Sequence, residues 1–177
     1  MAPLLEVQVV DLADSIAYDA HDVDDALQMG VLDQDELQRL ALIRRASAIV
    51  LERFGNLPPS RRRQALVHAL VDLQVCYLVA AATERLRSCD GRTADDIRSG
   101  GVRLGHSEAI AAERAELEAY LFEAVYRHPR LMTVRQSASD RLEELFTGLL
   151  RNPERLPLRF RTRIAETGVH RAVSDYL

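Results

Sequence analysis

"LADSIAYDAHDVDD" (residues 12–25) places five carboxylates, Asp14, Asp19, Asp22, Asp24 and Asp25, on a stretch whose apolar residues recur at helical spacing. Val9, Ala13, Ile16, Ala17, Ala20, Val23 and Leu27 stand three or four apart and form one stripe of an α-helix. The pattern predicts a helix from about Leu4 to Met29, ended by Gly30 as a left-handed C-terminal residue. On that helix Asp14, Tyr18 and Asp22 follow at i, i+4 and i+8, one row along the surface. Asp14 lies at the edge of the apolar stripe, where a carboxylate needs a partner such as a divalent metal. Tyr18 can stack on a sugar or base, and Asp22 can accept a hydrogen bond from a ligand hydroxyl. A solvated acidic face has the same spacing, and acids early in a helix also suit its dipole. Periodicity does not separate these readings.

The pattern stays helical on both sides of this row. Asp33 and Glu36 have capping-box spacing, and a helical pattern runs on to Phe54, broken near Leu40 and stopped by Gly55. "NLPPS" (56–60) is a turn, with Ser60 as the expected N-cap of a third helix over 61–88. "ALVHALVDLQVCYLVAAATERL" (65–86) is apolar around most of its circumference and is expected at the centre, with Cys76 and His68 inside the core. "CDGRTADDIRSGGVRLG" (89–105) holds four glycines and is expected to be a mobile loop. Ser107 opens a helix to about Arg127, and "HPR" (128–130) breaks it. A further amphipathic helix follows over about 131–151, with Ala138, Leu142, Leu145, Phe146 and Leu149 as its stripe. "NPERLPLRF" is a turn, and residues 163–177 form one or two short helices. No strand alternation and no internal repeat interrupts this, so the fold class is all-α, an irregular helical bundle.

The chain's 177 residues suit a single core. All 23 basic residues are Arg, and the net charge of −4 does not indicate a nucleic-acid scaffold. The triplet Arg61–Arg62–Arg63, opening a helix, suits either a phosphate or a solvated turn. Two cysteines, Cys76 and Cys89, make neither a disulfide framework nor a zinc site. "MAPLLEVQVVDLAD" has no basic leader, and no apolar run is read as reaching the roughly 20 residues of a membrane span. A cytoplasmic location without a membrane partner is therefore expected.

The segment "EVQVVDLADSIAYDAHDVDDALQMGVL" resembles the one that closes the metal site in bacterial deoxyguanosine triphosphate triphosphohydrolases and their dNTPase relatives, enzymes of the HD superfamily. The likeness continues in "ALVHALVDLQVCYLVAAATERL", "LEAYLFEAVYRHPRLM" and "RLEELFTGLLRNPERLP", in order over most of the chain. It is a resemblance to the C-terminal part of those enzymes, including their phosphohydrolase-associated region. It implies one continuous domain in which residues 1–30 close the metal and nucleotide site and 31–177 form the associated region.

The resemblance also implies roles. In the family a divalent metal, Mn²⁺ or Mg²⁺, is held by an isolated His, a His-Asp doublet and a later Asp. That later Asp matches Asp14, and the sugar-contacting Tyr and Asp match Tyr18 and Asp22. Water attacks the α-phosphorus of a dNTP, giving deoxynucleoside and tripolyphosphate, and an adjacent tyrosine excludes a 2′-hydroxyl by crowding. By the same resemblance His21-Asp22 is not the metal doublet, which precedes this helix in the family. No His stands before Asp14, and His68, His106, His128 and His170 are not followed by Asp. The expectation is a chain that does not hydrolyse dNTPs alone. It is either an enzyme part completed by an N-terminal HD segment, or a non-catalytic nucleotide-binding or regulatory assembly subunit. Helix one then carries apolar residues such as Val7, Val10 and Ile16 with little cover, which predicts a homo-oligomer or docking onto the HD part.

Overall fold

A computed structural model describes residues 2–89, 91 and 93–177; Asp90 and Arg92 of the expected loop, and Met1, lie outside the described residues. Among the described residues ten α-helices follow one another: α1 (Leu5–Gln28), α2 (Gln34–Leu37), α3 (Ala41–Phe54), α4 (Pro59–Arg87), α5 (Ala94–Ser99), α6 (Glu108–Leu121), α7 (Pro129–Arg151), α8 (Leu158–Arg161), α9 (Ile164–Thr167) and α10 (Val169–Ser174). A π-turn (Phe122–Tyr126) extends α6, and a 3₁₀ turn (Pro153–Arg155) precedes α8. There is no strand among the described residues, so the all-α class holds. The chain divides into two compact units, Met1–Tyr126 and Arg127–Leu177. That boundary falls far from residue 30, and α1 belongs wholly to the first unit.

In the first unit α4 packs against both α1 and α3, and α6 packs against α3 and α1. The core is built from Ile16, Ala20 and Val23 of α1, Leu42, Ile43 and Ala46 of α3, Leu66 and Leu70 of α4, and Ile110, Leu117 and Leu121 of α6. Each fully buried Val, Leu or Ile side chain contributes about 1.5–3 kcal/mol by leaving water. Truncating the fully buried Leu70 to Ala is expected to cost about 2–5 kcal/mol in a denaturant melt. Gly30 (φ 63°) and Gly55 (φ 64°) follow α1 and α3 in the left-handed region, where a side chain would be strained.

Several local expectations are corrected. The buried face of α1 is Gln8, Ile16, Asp19, Ala20, Val23 and Ala26, so Val9 and Ala13 of the expected stripe face outward. Ile16 is fully buried, not exposed, whereas Val7 and Val10 are indeed bare. Helix α4 starts at Pro59 and not beyond Ser60, because proline's fixed φ and missing N–H suit the first helical turn. Only part of α4 is covered: Val75, Tyr77 and Val79 are exposed, and so are Cys76 and His68, both expected in the core. By length, and by the mean hydropathy (1.8) of an 18-residue window within it, α4 is also apolar enough to cross a membrane, contrary to the sequence reading. The expected loop contains α5, held by a capping box in which Thr93 Oγ1 accepts from Asp96 N (3.2 Å) and the Asp96 carboxylate accepts from Thr93 N (3.0 Å). The segment beyond α5 is tied to α1 by the buried Gln8 amide. It donates to Val102 O (3.2 Å) and Pro3 O (3.0 Å) and accepts from Leu104 N (2.8 Å).

In the second unit Leu156, Phe160 and Val173 form a small core, with Phe146, Leu149 and Leu150 of α7 packed on it. His128 caps α7, its Nδ1 accepting from Arg130 N (3.3 Å). Asp175 gathers Arg163 (3.0 Å) and Arg171 (2.8 Å). No residue of α7 is fully buried, and Leu142 and Leu145 of its expected stripe are exposed.

Candidate nucleoside-facing cleft

Three elements of the first unit enclose a cleft of about 360 Å³: the acidic row of α1, the end of α6 and the π-turn. Asp11, Asp14, Ser15, Tyr18, Asp19 and Asp22 line it from α1, and Glu118, Leu121, Phe122 and Tyr126 face them. The α-helical period brings Asp14, Tyr18 and Asp22 to one wall, as the spacing requires. Asp14 and Tyr18 are exposed to solvent there, and Asp22 is half-buried. The π-turn interrupts the ordinary helical register, and Tyr126 at its end reaches α1.

The Tyr126 phenol donates a hydrogen bond to Asp22 Oδ2. Burial, then the bonds to Asp22 and Tyr18, push the Tyr126 pKa above the usual tyrosine range. The phenol therefore stays protonated and remains a donor at any physiological pH. Phe122 tilts against Tyr126 with ring centroids 6.5 Å apart, which gives the cleft an aromatic side opposite its carboxylates.

At the buried edge of the cleft wall lies an ion pair that sequence reasoning missed. Arg114 of α6 donates from Nη2 to Asp19 Oδ2 (2.6 Å), Ser15 Oγ (2.7 Å) and Glu118 Oε1 (3.0 Å), and from Nε to Asp19 Oδ2 (3.1 Å). Burial raises the Asp19 pKa above its usual value although Arg114 pulls it the other way. Nearby His106 has both ring nitrogens buried without a hydrogen-bond partner, and burial followed by the Arg114 charge lowers its pKa. Tyr126 was also missed: "YRHPR" reads as a helix break with cations, and only the π-turn turns its tyrosine toward Asp22. In the sequence Asp19 looks the same as Asp14 and Asp22.

The other singled-out residues are placed elsewhere. His21 is exposed and does not line the cleft. Arg63 pairs with Asp24, and Arg62 donates to Leu57 O (3.1 Å), so two of the three arginines opening α4 are engaged in the fold. A second cavity of about 200 Å³, between Gln38, Ser47, Asn56 and Arg62, contains none of the row residues. Among the described residues no three His, Cys, Asp or Glu side chains are placed to hold a metal together. Asp14 offers one carboxylate and no imidazole stands beside it, which does not by itself fit a divalent ion needing several donors.

Residues 104–177 match the phosphohydrolase-associated domain. The chain is 34% identical over 175 residues to a deoxyguanosinetriphosphate triphosphohydrolase-like protein of Bordetella pertussis, covering 99% of this chain and 45% of that protein. It is 35% identical over 178 residues to one from Brucella suis (98% and 44%), and 29% identical over 178 residues to one from Geobacter metallireducens (100% and 46%). The chain thus spans a little under half the length of the curated relatives it matches. The chain thus carries a phosphohydrolase-associated domain and is similar over nearly its whole length to the C-terminal part of deoxyguanosinetriphosphate triphosphohydrolase-like proteins.

Proposed function

We propose that this chain supplies the deoxyribose-facing wall of a dNTP triphosphohydrolase site, with Asp14 as one ligand of its metal. The observation that carries this reading is the Tyr126–Asp22–Tyr18 grouping in an acidic cleft, on a chain whose relatives bear the triphosphohydrolase-like name. Asp22, already accepting from Tyr126, has lone pairs left for a sugar hydroxyl. The Tyr126 ring beside it crowds the position of a ribose 2′-hydroxyl, and the exposed Tyr18 offers a stacking face and a phenol. The reaction class is dNTP plus water to deoxynucleoside plus tripolyphosphate.

The Mn²⁺ or Mg²⁺ of that reaction finds here one carboxylate, so its other ligands come from groups beyond these residues. The purified chain alone is therefore expected to release no tripolyphosphate from any dNTP with Mn²⁺. Adding the N-terminal part of a relative that bears the His and His-Asp ligands is expected to give release that Asp14→Ala abolishes. Release by the pure chain that is lost in Asp14→Ala would overturn the incomplete-site reading.

The incomplete ligand set beside an intact cleft also favours a second reading: a non-catalytic nucleotide-binding or regulatory subunit that assembles with a homologue or with its own copies. Binding of deoxynucleotide by the chain, with no release after complementation, selects it. Exposed Val7 and Val10 support such assembly.

A further inference from the structure

We propose that Arg114 is a positioning residue for the cleft: by gripping Ser15 and Asp19 it sets the rotation of α1 about its own axis, and so aims Asp14, Tyr18 and Asp22 at Tyr126. The proposal rests on the reading of the cleft as a deoxynucleoside site. Ser15 and Asp19 stand one turn apart on α1 at the buried edge of the cleft, and each directly follows an exposed cleft residue, Asp14 and Tyr18. Neighbouring positions on an α-helix lie about 100° apart, so a grip on the row 15–19 fixes where the row 14–18–22 points. Side chains reach about 5–6 Å from a helix axis, and a 20° turn of α1 would move them about 2 Å, enough to break a hydrogen bond.

The contacts fit a clamp better than a source of stability. Arg114 is 7% exposed and Asp19 6%, and three acceptor groups converge on one guanidinium from two helices. A buried ion pair is a poor stabiliser, because losing water offsets most of the attraction. The raised Asp19 pKa agrees, since burial disfavours its charge more than Arg114 favours it. Ile16, Ala20 and Val23 pack α1 against its neighbours and Gln8 ties its first turns, and to these the forked guanidinium adds directed bonds at the row 15–19 itself.

The test compares wild type with Arg114→Met/Asp19→Leu, which fills the same space with apolar groups, and with Arg114→Lys, which keeps the charge and loses the fork. Two properties are read beside the melting curve: the Kd for 2′-deoxyguanosine by calorimetry, and the alkaline titration of Tyr126, taken as the absorbance difference from a matched Tyr126→Phe protein. The double variant is expected to melt cooperatively, bind at least 10-fold more weakly, and titrate Tyr126 closer to the ordinary phenol range. Arg114→Lys is expected to fall between it and wild type. A folded double variant with wild-type Kd and wild-type Tyr126 titration overturns the proposal. If wild type binds no deoxynucleoside, the cleft reading fails separately. The phenol titration then decides for Arg114: a shift in the double variant supports it and no shift overturns it. Should the double variant not fold, an Arg114→Lys protein indistinguishable from wild type in both readouts overturns it equally.

Discussion

Tyr126 is the residue on which the cleft's polarity turns. Its phenol gives Asp22 a fixed donor, and hydrogen bonds to a charged acceptor contribute about 1.5–3 kcal/mol. Tyr126→Phe is expected to preserve the fold, since the ring stays, and to weaken deoxynucleoside binding about 10-fold; calorimetry checks this. Asp19 gives a test in pH. Its folded pKa is raised above the ordinary 3.8, so between that value and the folded one the folded chain holds more proton than the unfolded chain. Stability from this group is thus full below 3.8 and is lost as pH rises through the folded pKa. Relative to Asp19→Asn, wild type is expected to gain stability as pH falls from 7 toward 4. Urea melts of the pair at several pH values measure it, and a gain in the opposite direction contradicts the burial argument.

At the scale of the element, α1 shows how a helix can be read correctly and its face misread. Spacing gave its length to within a residue at each end, and Gly30 ended it for the expected reason. The face came out rotated because polar Gln8 and Asp19 turn inward to specific partners, while Val7, Val9 and Val10 stay outside. Gln8 is the test of that face. Gln8→Ala leaves Leu104 N and the carbonyls of Val102 and Pro3 without it, and is expected to cost about 1–3 kcal/mol. Amide exchange at Leu104 should speed up more than exchange in the core of α4. The segment 89–105 was misread for a related reason: its glycines and charges suggest a loop, yet the Thr93–Asp96 box closes a turn of helix inside it. The box was legible as a Thr three residues before an Asp, but it lacked the apolar run that normally gives that spacing weight.

For the molecule as a whole, apolar side chains remain bare on both compact units. Val10 is 65% exposed on α1, and Val134 (64%), Leu142 (53%) and Leu145 (55%) are exposed on α7. A chain with such faces is expected to self-associate at micromolar concentration, giving a light-scattering mass above the 19.9 kDa of one copy. Val10→Ser with Leu142→Ser should lower that mass; a strictly monomeric wild type contradicts it.

The sequence by itself determined the helical class, the order of the long helices and the row Asp14–Tyr18–Asp22, because all three follow from local periodicity and from glycines or prolines at helix ends. It also carried the likeness to the triphosphohydrolase-like family, spread over ordered segments. Tertiary structure alone decided which face of α1 is buried, that His68 and Cys76 lie outside, and that Tyr126 and Arg114 join the row. Those facts depend on contacts between residues about 100 positions apart, such as Asp22 with Tyr126 and Asp19 with Arg114. A helical repeat says which residues share a face; only packing says what that face meets, and hence which carboxylates are held and which remain free for a ligand.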